Sequence, residues 1–297
     1  MVLPSNKPKR SRAISPAMAG FIFIAGIILG HINSQLSFDC PVCQPITEVP
    51  SLLASSRDNG WHSVDVFYGK SDHLEKMLPK SEWFSQARQD EAVSTLLRGK
   101  RNGYFIDLAA NDATILSNTY SLEKKFGWNG LCVEPNPIYW ANLTYRDCQV
   151  VAAIVGGSRM EEINFRFNAG DHGGIIGFDN GKHLIRQSEP KYTVTLKEIL
   201  ERFNAPKEID YLSLDVEGAE EFIMKNFPLD TYKISLMTVE RPKESLRDLL
   251  ENHGFKNIKR LSRWGETLWA HESVMKSLYL DTLDEFTPTK EPKPAPP

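Results

Sequence analysis

Two short apolar runs, separated by a loop of small residues and a helix-like segment, constrain this chain more than any other feature. The first run, YFIDL at 104–108, carries Asp107 and leads into the loop AANDA. The second run, GLCV at 130–133, ends directly before Glu134. A strand, a tight turn, a helix and a second strand closing on an acid is the order in which open α/β sheets hold a nucleotide-like ligand.

Strand-like and helix-like segments alternate from the first run to residue 271. Besides 104–108 and 131–134, strands are predicted at 150–155, 211–215, 234–240, 255–261 and 266–271, with an added edge strand at 163–167. Helices are predicted at 89–98, 117–126, after Pro137, after a capping box at Thr195, at 219–226 and at 243–253. This alternation favours an α/β fold with a mostly parallel seven-stranded sheet, an antiparallel C-terminal hairpin and helices on both faces.

The N-terminal region has the pattern of a membrane anchor. Residues 13–32 carry no charged side chain, and about 20 such residues are enough to cross the hydrocarbon layer. The basic residues of the region, within 7–12, all precede this segment. The positive-inside rule then predicts a single-pass type II protein with its folded domain in the lumen of the ER or Golgi. A cleaved signal peptide, followed by secretion, is the alternative.

These features divide the chain into five parts. They are a basic cytoplasmic tail at 1–12, a transmembrane signal anchor at 13–32, a stem or linker at 33–80, the folded α/β domain at 81–286 and a disordered proline-rich tail at 287–297. A glycosylation sequon begins at Asn142. The net charge of −3, with no basic face, argues against nucleic acid as a partner.

Residues around the first two strands are candidates for ligand binding. A carboxyl group at Asp107 can accept hydrogen bonds from an ammonium group, and Glu134 lies where acids bind the two ribose hydroxyls of an adenosine ligand. Within the loop, Ala109, Asn111 and Asp112 are predicted to border the same ligand. The turn after Glu134 adds Asn136, which lies between two prolines. Asp107 and Glu134 also have plain structural interpretations, Asp107 as an N-cap or turn carboxylate and Glu134 as a turn residue.

A second group of acids follows the later strands. Asp215 and Glu217 follow the strand predicted at 211–215, and Glu240 ends the next one. Acids at one rim suit a general base that accepts a hydroxyl proton, or a hard divalent cation, which leaves metal dependence open. His172, on a glycine-flanked loop, is a further candidate base, or a surface histidine.

The cysteines allow two interpretations. Cys132 and Cys148 fall in or beside predicted strands, where small buried apolar residues are the first interpretation and a disulfide in an oxidising lumen is the second. A lone CPVC at Cys40 and Cys43 is weak evidence for zinc, so no metal ligand is assigned.

Taken together, the motifs resemble those of the FkbM-type methyltransferases over roughly residues 84–271. The resemblance is carried, in order, by SQ at 85–86 and QD at 89–90, FIDLAANDATILSNTY, CVEPNP, LSLDVEGAE and VE at 239–240. It implies a Rossmann-like methyltransferase fold, S-adenosylmethionine as methyl donor and O-methylation, often of a sugar hydroxyl. By position, it implies donor contacts from Asp107, Asn111 and Glu134 and an acceptor side lined by Asp215, Glu217 and Glu240. The chain departs from the family pattern at Ala109 and Ala113, where glycine is usual.

Two functions are therefore carried forward from the sequence. The first is a membrane-anchored O-methyltransferase that acts on a glycan or another hydroxyl-bearing acceptor in the secretory pathway. The second is a non-catalytic, membrane-anchored binding or trafficking protein that uses the sheet only as a scaffold. A soluble small-molecule methyltransferase conflicts with the apolar segment at 13–32.

Overall fold

The computed structural model describes residues 65–67, 82–167, 173–178 and 188–290, all within the compact unit Trp61–Pro297. The basic tail at 1–12, the anchor at 13–32 and most of the stem lie outside the described residues, as does His172. None of the helices in the described part combines the length and apolar character needed to cross a membrane.

The strands of the described part are short and follow the predicted alternation. In chain order they are β1 (Asp65–Phe67), β2 (Tyr104–Leu108), β3 (Asn129–Val133), β4 (Gln149–Ala152), β5 (Val155–Gly156), β6 (Glu162–Arg166), β7 (Gly174–Ile175), β8 (Ser188–Tyr192), β9 (Val194–Thr195), β10 (Glu208–Leu214), β11 (Lys233–Glu240), β12 (Phe255–Arg260) and β13 (Glu266–His271).

Eight of these strands form the central sheet, in the order β1-β4-β3-β2-β10-β11-β13-β12. Strands β4, β3, β2, β10 and β11 are parallel, and β13 joins β11 antiparallel as part of the β12–β13 hairpin. The predicted α/β fold, with its mostly parallel sheet and closing hairpin, is therefore confirmed. The eighth strand, β1, comes from the segment predicted as stem and pairs antiparallel with β4.

The predicted edge strand at 163–167 belongs to a different sheet. It is β6, which pairs antiparallel with β7 on one side and β8 on the other. Ile163, Phe165 and Ile175 of this small sheet pack with Phe222 in a separate apolar cluster. Strand β6 therefore belongs to this small sheet and its own apolar cluster, and it is not an edge strand of the central sheet.

Helices cover both faces of the central sheet, as predicted. They are α1 (Gln89–Leu96), α2 (Tyr120–Phe126), α3 (Pro137–Leu143), α4 (Leu196–Arg202), α5 (Glu220–Met224) and α6 (Glu244–Asn252), followed by a 3-10 helix at Leu280–Glu285. Apolar residues of α1, α2 and α3 share one core cluster, and those of α4, α5 and α6 share the other. The predicted capping box opens α4, where Thr195 and Glu198 exchange hydrogen bonds with each other's backbone.

Two features near the sheet differ from the first interpretation of the sequence. Cys132 of β3 and Cys148, just before β4, form a disulfide across a separation of 16 residues, so they are not merely small apolar residues of the core. At the C-terminus, Thr289 exchanges two backbone hydrogen bonds with Leu261 and Arg263. The ordered chain therefore continues past residue 287, where the disordered tail was predicted to begin.

Candidate active site

A cavity of about 280 Å³ lies at the carboxyl ends of the five parallel strands. Its volume is close to the lower end of the range for small-molecule sites, about 300 to 1,000 Å³. Residues that follow β2, β3, β4, β10 and β11 contribute to its lining: Ala109–Asn111, Glu134–Asn136, Ala153–Val155, Asp215–Glu217 and Arg241. This is the sheet edge at which open α/β folds bind ligands.

Asp107 and Glu134 lie on the same face of the sheet and line the same cavity. Asp107 pairs in register with Cys132, two positions before Glu134. Since side chains alternate between faces along a strand, the two acids project to one side. The arrangement predicted from the sequence, two acids converging on one rim, is therefore present in the geometry.

The carboxyl group of Glu134 is 4% exposed and is held by backbone donors. The N–H of Asn111 donates to Oε2 at 2.8 Å, and the N–H of Asn136 donates to Oε1 at 2.7 Å. Burial raises the pKa of Glu134 to about 7, against the lowering effect of those two hydrogen bonds. The loop after β2 and the turn after β3 are thus fastened to each other through this one side chain.

Asp107 is anchored from the opposite direction, by α2 and the turn before β4. Thr119 donates its hydroxyl to Asp107 at 2.6 Å, and Arg146 donates to Thr119 at 3.0 Å. Arg146 also pairs with Glu123 at 3.0 Å, with both side chains almost fully buried. Burial raises the pKa of Asp107, while the hydrogen bonds from Thr119 and Ser213 and the charge of Arg146 act against the rise.

The loop after β2 takes an unusual backbone conformation. Ala109 and Asn111 have φ values of 60° and 56°, in the left-handed region that favours glycine. The N–H groups of Ala109 and Ala110 both donate to the carbonyl of Val133. This folds the loop back over β3, so that Ala109, Ala110 and Asn111 line the cavity.

Asn136 and Asp112, the other two residues predicted to border the ligand, differ in whether they line the cavity. Asn136 lines the cavity and caps α3, where its side-chain oxygen accepts from the N–H of Ile138. Asp112 is not among the residues that line the cavity. Its carboxylate accepts from the N–H groups of Thr114 and Ile115 and from the side chain of Asn142, which is the capping arrangement of a turn.

Asp215, Glu217 and Glu240 meet on the other side of the same cavity. One carboxyl oxygen from each lies within 4.8 Å of the others. Arg241 donates to Glu240 at 2.5 Å and to Glu217 at 3.3 Å. Glu217 adopts a left-handed φ of 55° directly before Gly218, so the backbone turns sharply at the rim.

Further buried acids lie close to this group and affect its protonation. Burial, followed by the charges of Glu240, Glu266, Glu217 and Glu220, raises the pKa of Asp215 well above its usual value. Burial and the charge of Glu240 likewise raise the pKa of Glu266 to about 8. The sequence motifs did not single out Glu266, because it begins β13 and its distance in sequence from the other acids hides their proximity.

Further lining residues were also absent from the sequence predictions. Phe165 and Ile175 of the small sheet form one wall, and Tyr139 and Trp264 contribute aromatic rings. These positions carry no motif, and only the tertiary fold brings them to the cavity. The predicted base His172 lies outside the described residues, although the adjacent Gly173 and Gly174 line the cavity.

Comparison with known proteins finds a matching family. A family model described as the methyltransferase FkbM domain matches residues 107–256, which is half of the chain and contains the acids of both sides of the cavity. The comparisons find no match among curated proteins and none among solved structures. The extent of the family match is sufficient to state that the chain belongs to the FkbM methyltransferase family.

Proposed function

We propose that this methyltransferase uses S-adenosylmethionine to methylate a hydroxyl group. The observation that carries the proposal is the placement of Asp107 and Glu134 on one face of the sheet, beside one cavity, with a second group of acids opposite. One side of the cavity is thus suited to a donor that carries an ammonium group and a ribose. The other side is suited to an acceptor that must lose a proton.

The residues present fit the methyl donor. The oxygens of Glu134 have further lone pairs beside those used by the two backbone N–H groups, and an ionised carboxylate accepts from hydroxyl groups. Asp107 provides a second buried carboxyl group on the same face of the sheet, at the register position of Cys132, two residues before Glu134. Tyr139, Ile154 and Phe165 add apolar surface of the kind that an adenine ring contacts. When bound, the donor supplies a methyl group on a positively charged sulfur, which a hydroxyl oxygen can attack in line.

The acids on the opposite side can take the acceptor's proton. As the hydroxyl oxygen forms its bond to the methyl carbon, the carbon–sulfur bond breaks and the hydroxyl proton must leave. A carboxylate of Asp215 is our leading candidate to accept it, with Glu240, Glu217 and His172 as alternatives. A raised pKa, as at Asp215, makes a carboxylate a stronger base than an exposed one. Holding donor and acceptor in this geometry contributes much of the acceleration.

The expected setting is the secretory pathway, with a glycan as acceptor. Three features support it: the uncharged segment at 13–32, the sequon at the exposed Asn142, and the Cys132–Cys148 disulfide. Disulfides persist in oxidising compartments and are rare in the cytosol. A sugar acceptor is rich in hydroxyl groups, which matches an acceptor side made of hydrogen-bonding carboxylates and Trp264.

Donor binding is the direct test of the proposal. Calorimetry with S-adenosylhomocysteine should give saturable binding to the purified protein, and Glu134→Ala should weaken the affinity at least tenfold, since hydrogen bonds to a charged group contribute about 1.5–3 kcal/mol each. The exposed Glu251, changed to Ala, is the matched control and should leave the affinity unchanged. Unchanged affinity in Glu134→Ala would remove Glu134 from the donor site.

Transfer is tested separately from binding. Labelled S-adenosylmethionine should transfer its methyl group to at least one member of a panel of glycans, and Asp215→Asn should lower the rate by about 10²–10⁴-fold if it is the base. The competing function is a non-catalytic scaffold for binding or trafficking. It is favoured if millimolar donor produces neither a calorimetric signal nor a thermal shift, because a bound ligand must stabilise the folded state by mass action.

A further inference from the structure

Three carboxylates converge at the ends of β10 and β11. One oxygen each from Asp215, Glu217 and Glu240 lies within 4.8 Å of the others. Hard divalent cations bind carboxylate oxygens at about 2.0–2.6 Å, so oxygens that share an ion are separated by up to about 4–5 Å. The spacing of the three acids is therefore the spacing of ligands around a shared cation.

A fourth acid supplies an independent observation. Glu266 pairs directly with Glu240 in the antiparallel β11–β13 ladder, so both side chains point to the same face of the sheet. Glu266 is 1% exposed, and within the described part of the chain neither of its carboxyl oxygens has a hydrogen-bond partner of normal geometry, although the side chains of Gln89 and Thr238 lie near enough to lower its pKa. A buried carboxyl group with such weak interactions is costly. Such a group, directed at a cluster of acids, indicates a positive partner.

The nearby arginine does not balance this charge. Arg241 contacts Glu240 and Glu217 through one guanidinium nitrogen, and its side chain is 44% exposed. This one guanidinium contacts two of the four clustered acids, and among the described residues no ion pair of it with Asp215 or Glu266 is seen. Because the side chain is long and partly exposed to solvent, it can move away from the two oxygens that it contacts.

We propose that Asp215, Glu217 and Glu240 bind a hard divalent cation such as Mg²⁺ or Mn²⁺, with Glu266 as the acid beneath it. The ligand set of oxygens alone fits these ions and not zinc, which prefers nitrogen and sulfur. One oxygen of Asp215 remains free when the other binds the ion. The next step rests on the proposed methyl transfer. In that reaction the cation would hold the oxygen of the acceptor's hydroxyl group, and Asp215 would still accept the proton of that hydroxyl group.

Metal binding can be measured without donor or acceptor. The full-length protein, stripped with chelator, is titrated with MnCl₂ and followed by electron paramagnetic resonance of free Mn²⁺ and by thermal unfolding. We expect saturable binding of one ion and a rise in Tm of several degrees, with Mg²⁺ competing for the same site. Failure of this experiment leaves the proposed donor site untouched, because neither Asp107 nor Glu134 takes part in it.

Variants distinguish a specific metal site from non-specific attraction of cations to an acidic surface. Asp215→Asn and Glu240→Gln each remove one ligand and should weaken Mn²⁺ affinity at least tenfold. Both should keep or raise the Tm of the metal-free protein, because a neutral amide replaces a carboxyl group whose ionised form is disfavoured by its acidic neighbours. Glu251→Gln changes the net charge equally at an exposed position and should bind Mn²⁺ as the wild type does.

Two results would overturn the proposal. One is the absence of saturable Mn²⁺ binding in the wild-type protein up to millimolar concentration. The other is equal loss of affinity in Asp215→Asn and in Glu251→Gln, which would indicate diffuse attraction to an acidic surface. If Asp215→Asn does not fold, Glu217→Gln provides the same comparison at a ligand whose side chain is 21% exposed.

Discussion

At the scale of single residues, the loop after β2 shows how this chain departs from its family's glycine pattern. Ala109 has a left-handed φ of 60°, a conformation that costs an alanine about 1–2 kcal/mol. A glycine at this position would avoid that strain, but it would lose more conformational entropy on folding, which offsets part of the gain. We expect Ala109→Gly to stabilise the protein by about 1 kcal/mol or less. Thermal unfolding would detect this as a Tm increase of about 1–3 °C.

Ala113 is the matched control in the same loop. It is fully buried and is not among the residues with positive φ. Ala113→Gly should therefore lower the stability by about 1 kcal/mol through lost packing and added chain entropy. If the two substitutions shifted Tm in the same direction, backbone strain at Ala109 would not be the cause of the difference.

Glu134 makes the stability of the protein depend on pH. Its pKa is about 7 in the folded protein and near 4.5 in an exposed chain, so the folded state binds more protons between these values. The free energy of unfolding therefore falls as pH rises from about 4.5 to 7, by up to about 3 kcal/mol from this group alone. Glu134→Gln removes that contribution.

The measurement is urea unfolding of both proteins across this range of pH. The stability of Glu134→Gln relative to the wild type should rise steadily from pH 4.5 to pH 7.5 and then level off. Glu251→Gln, at an exposed position, should show a constant difference from the wild type. A relative stability of Glu134→Gln that is independent of pH would mean that the carboxyl group is not desolvated in the folded state.

At the scale of secondary-structure elements, the sequence predicted what depends on local pattern. Apolar runs mark the five parallel strands, and the Thr195 capping box marks the start of α4, because both signals are contained in a few neighbouring residues. The same local signals placed Asp107 and Glu134 on strands whose ends meet. Because β2 and β3 are parallel neighbours, their carboxyl ends lie side by side, and this brings the two acids close together.

Elements that depend on distant partners were not predictable in this way. Strand β1 is three residues long and exists through pairing with β4, more than eighty positions later. Strand β6 was found, but nothing in its own residues shows that it pairs with β7 and β8. Glu266 joined the acidic rim for the same reason, since its place is fixed by the ladder opposite Glu240.

A buried ion pair links α2 to the turn before β4. Arg146 and Glu123 are 0% and 1% exposed, and Arg146 also donates to Ser117 and Thr119. Removing one member leaves the other charge without compensation. We expect Arg146→Leu to destabilise the protein by about 3–5 kcal/mol in urea unfolding.

The double variant distinguishes the charge from the packing. Arg146→Leu combined with Glu123→Leu removes both charges and should recover a large part of the lost stability. If the double variant were as unstable as the sum of the two single ones, the pair would not be coupled. The shape of the arginine side chain would then account for the loss.

At the scale of the whole molecule, separate features agree on one setting. The disulfide joins Cys132 of β3, two residues before Glu134, to Cys148 just before β4, so the proposed donor site would be braced by a bond that requires oxidising conditions. The uncharged segment at 13–32 would bring the domain into such a compartment. The proposed methyl transfer to a glycan of the secretory pathway would need this same location, so the topology of the chain is a test of the proposed function.

Asn142 allows that topology to be measured. It begins the only N-x-S/T sequence of the chain, and it is exposed at the end of α3, where its side-chain nitrogen donates to Asp112. Glycosylation leaves one N–H on that nitrogen, so the bond to Asp112 can persist. Translated with microsomes, the protein should sediment with membranes after carbonate extraction and should lose mass on treatment with an endoglycosidase.

The variants give this prediction its control. Asn142→Gln should abolish the endoglycosidase-sensitive shift, while Asn257→Gln, at an exposed asparagine outside any sequon, should retain it. Protease added outside the microsomes should leave the domain intact until detergent is present. A domain digested without detergent would face the cytosol, where a glycan acceptor of the secretory pathway is out of reach and a persistent disulfide is rare. The acceptor would then have to be sought among cytosolic hydroxyl compounds.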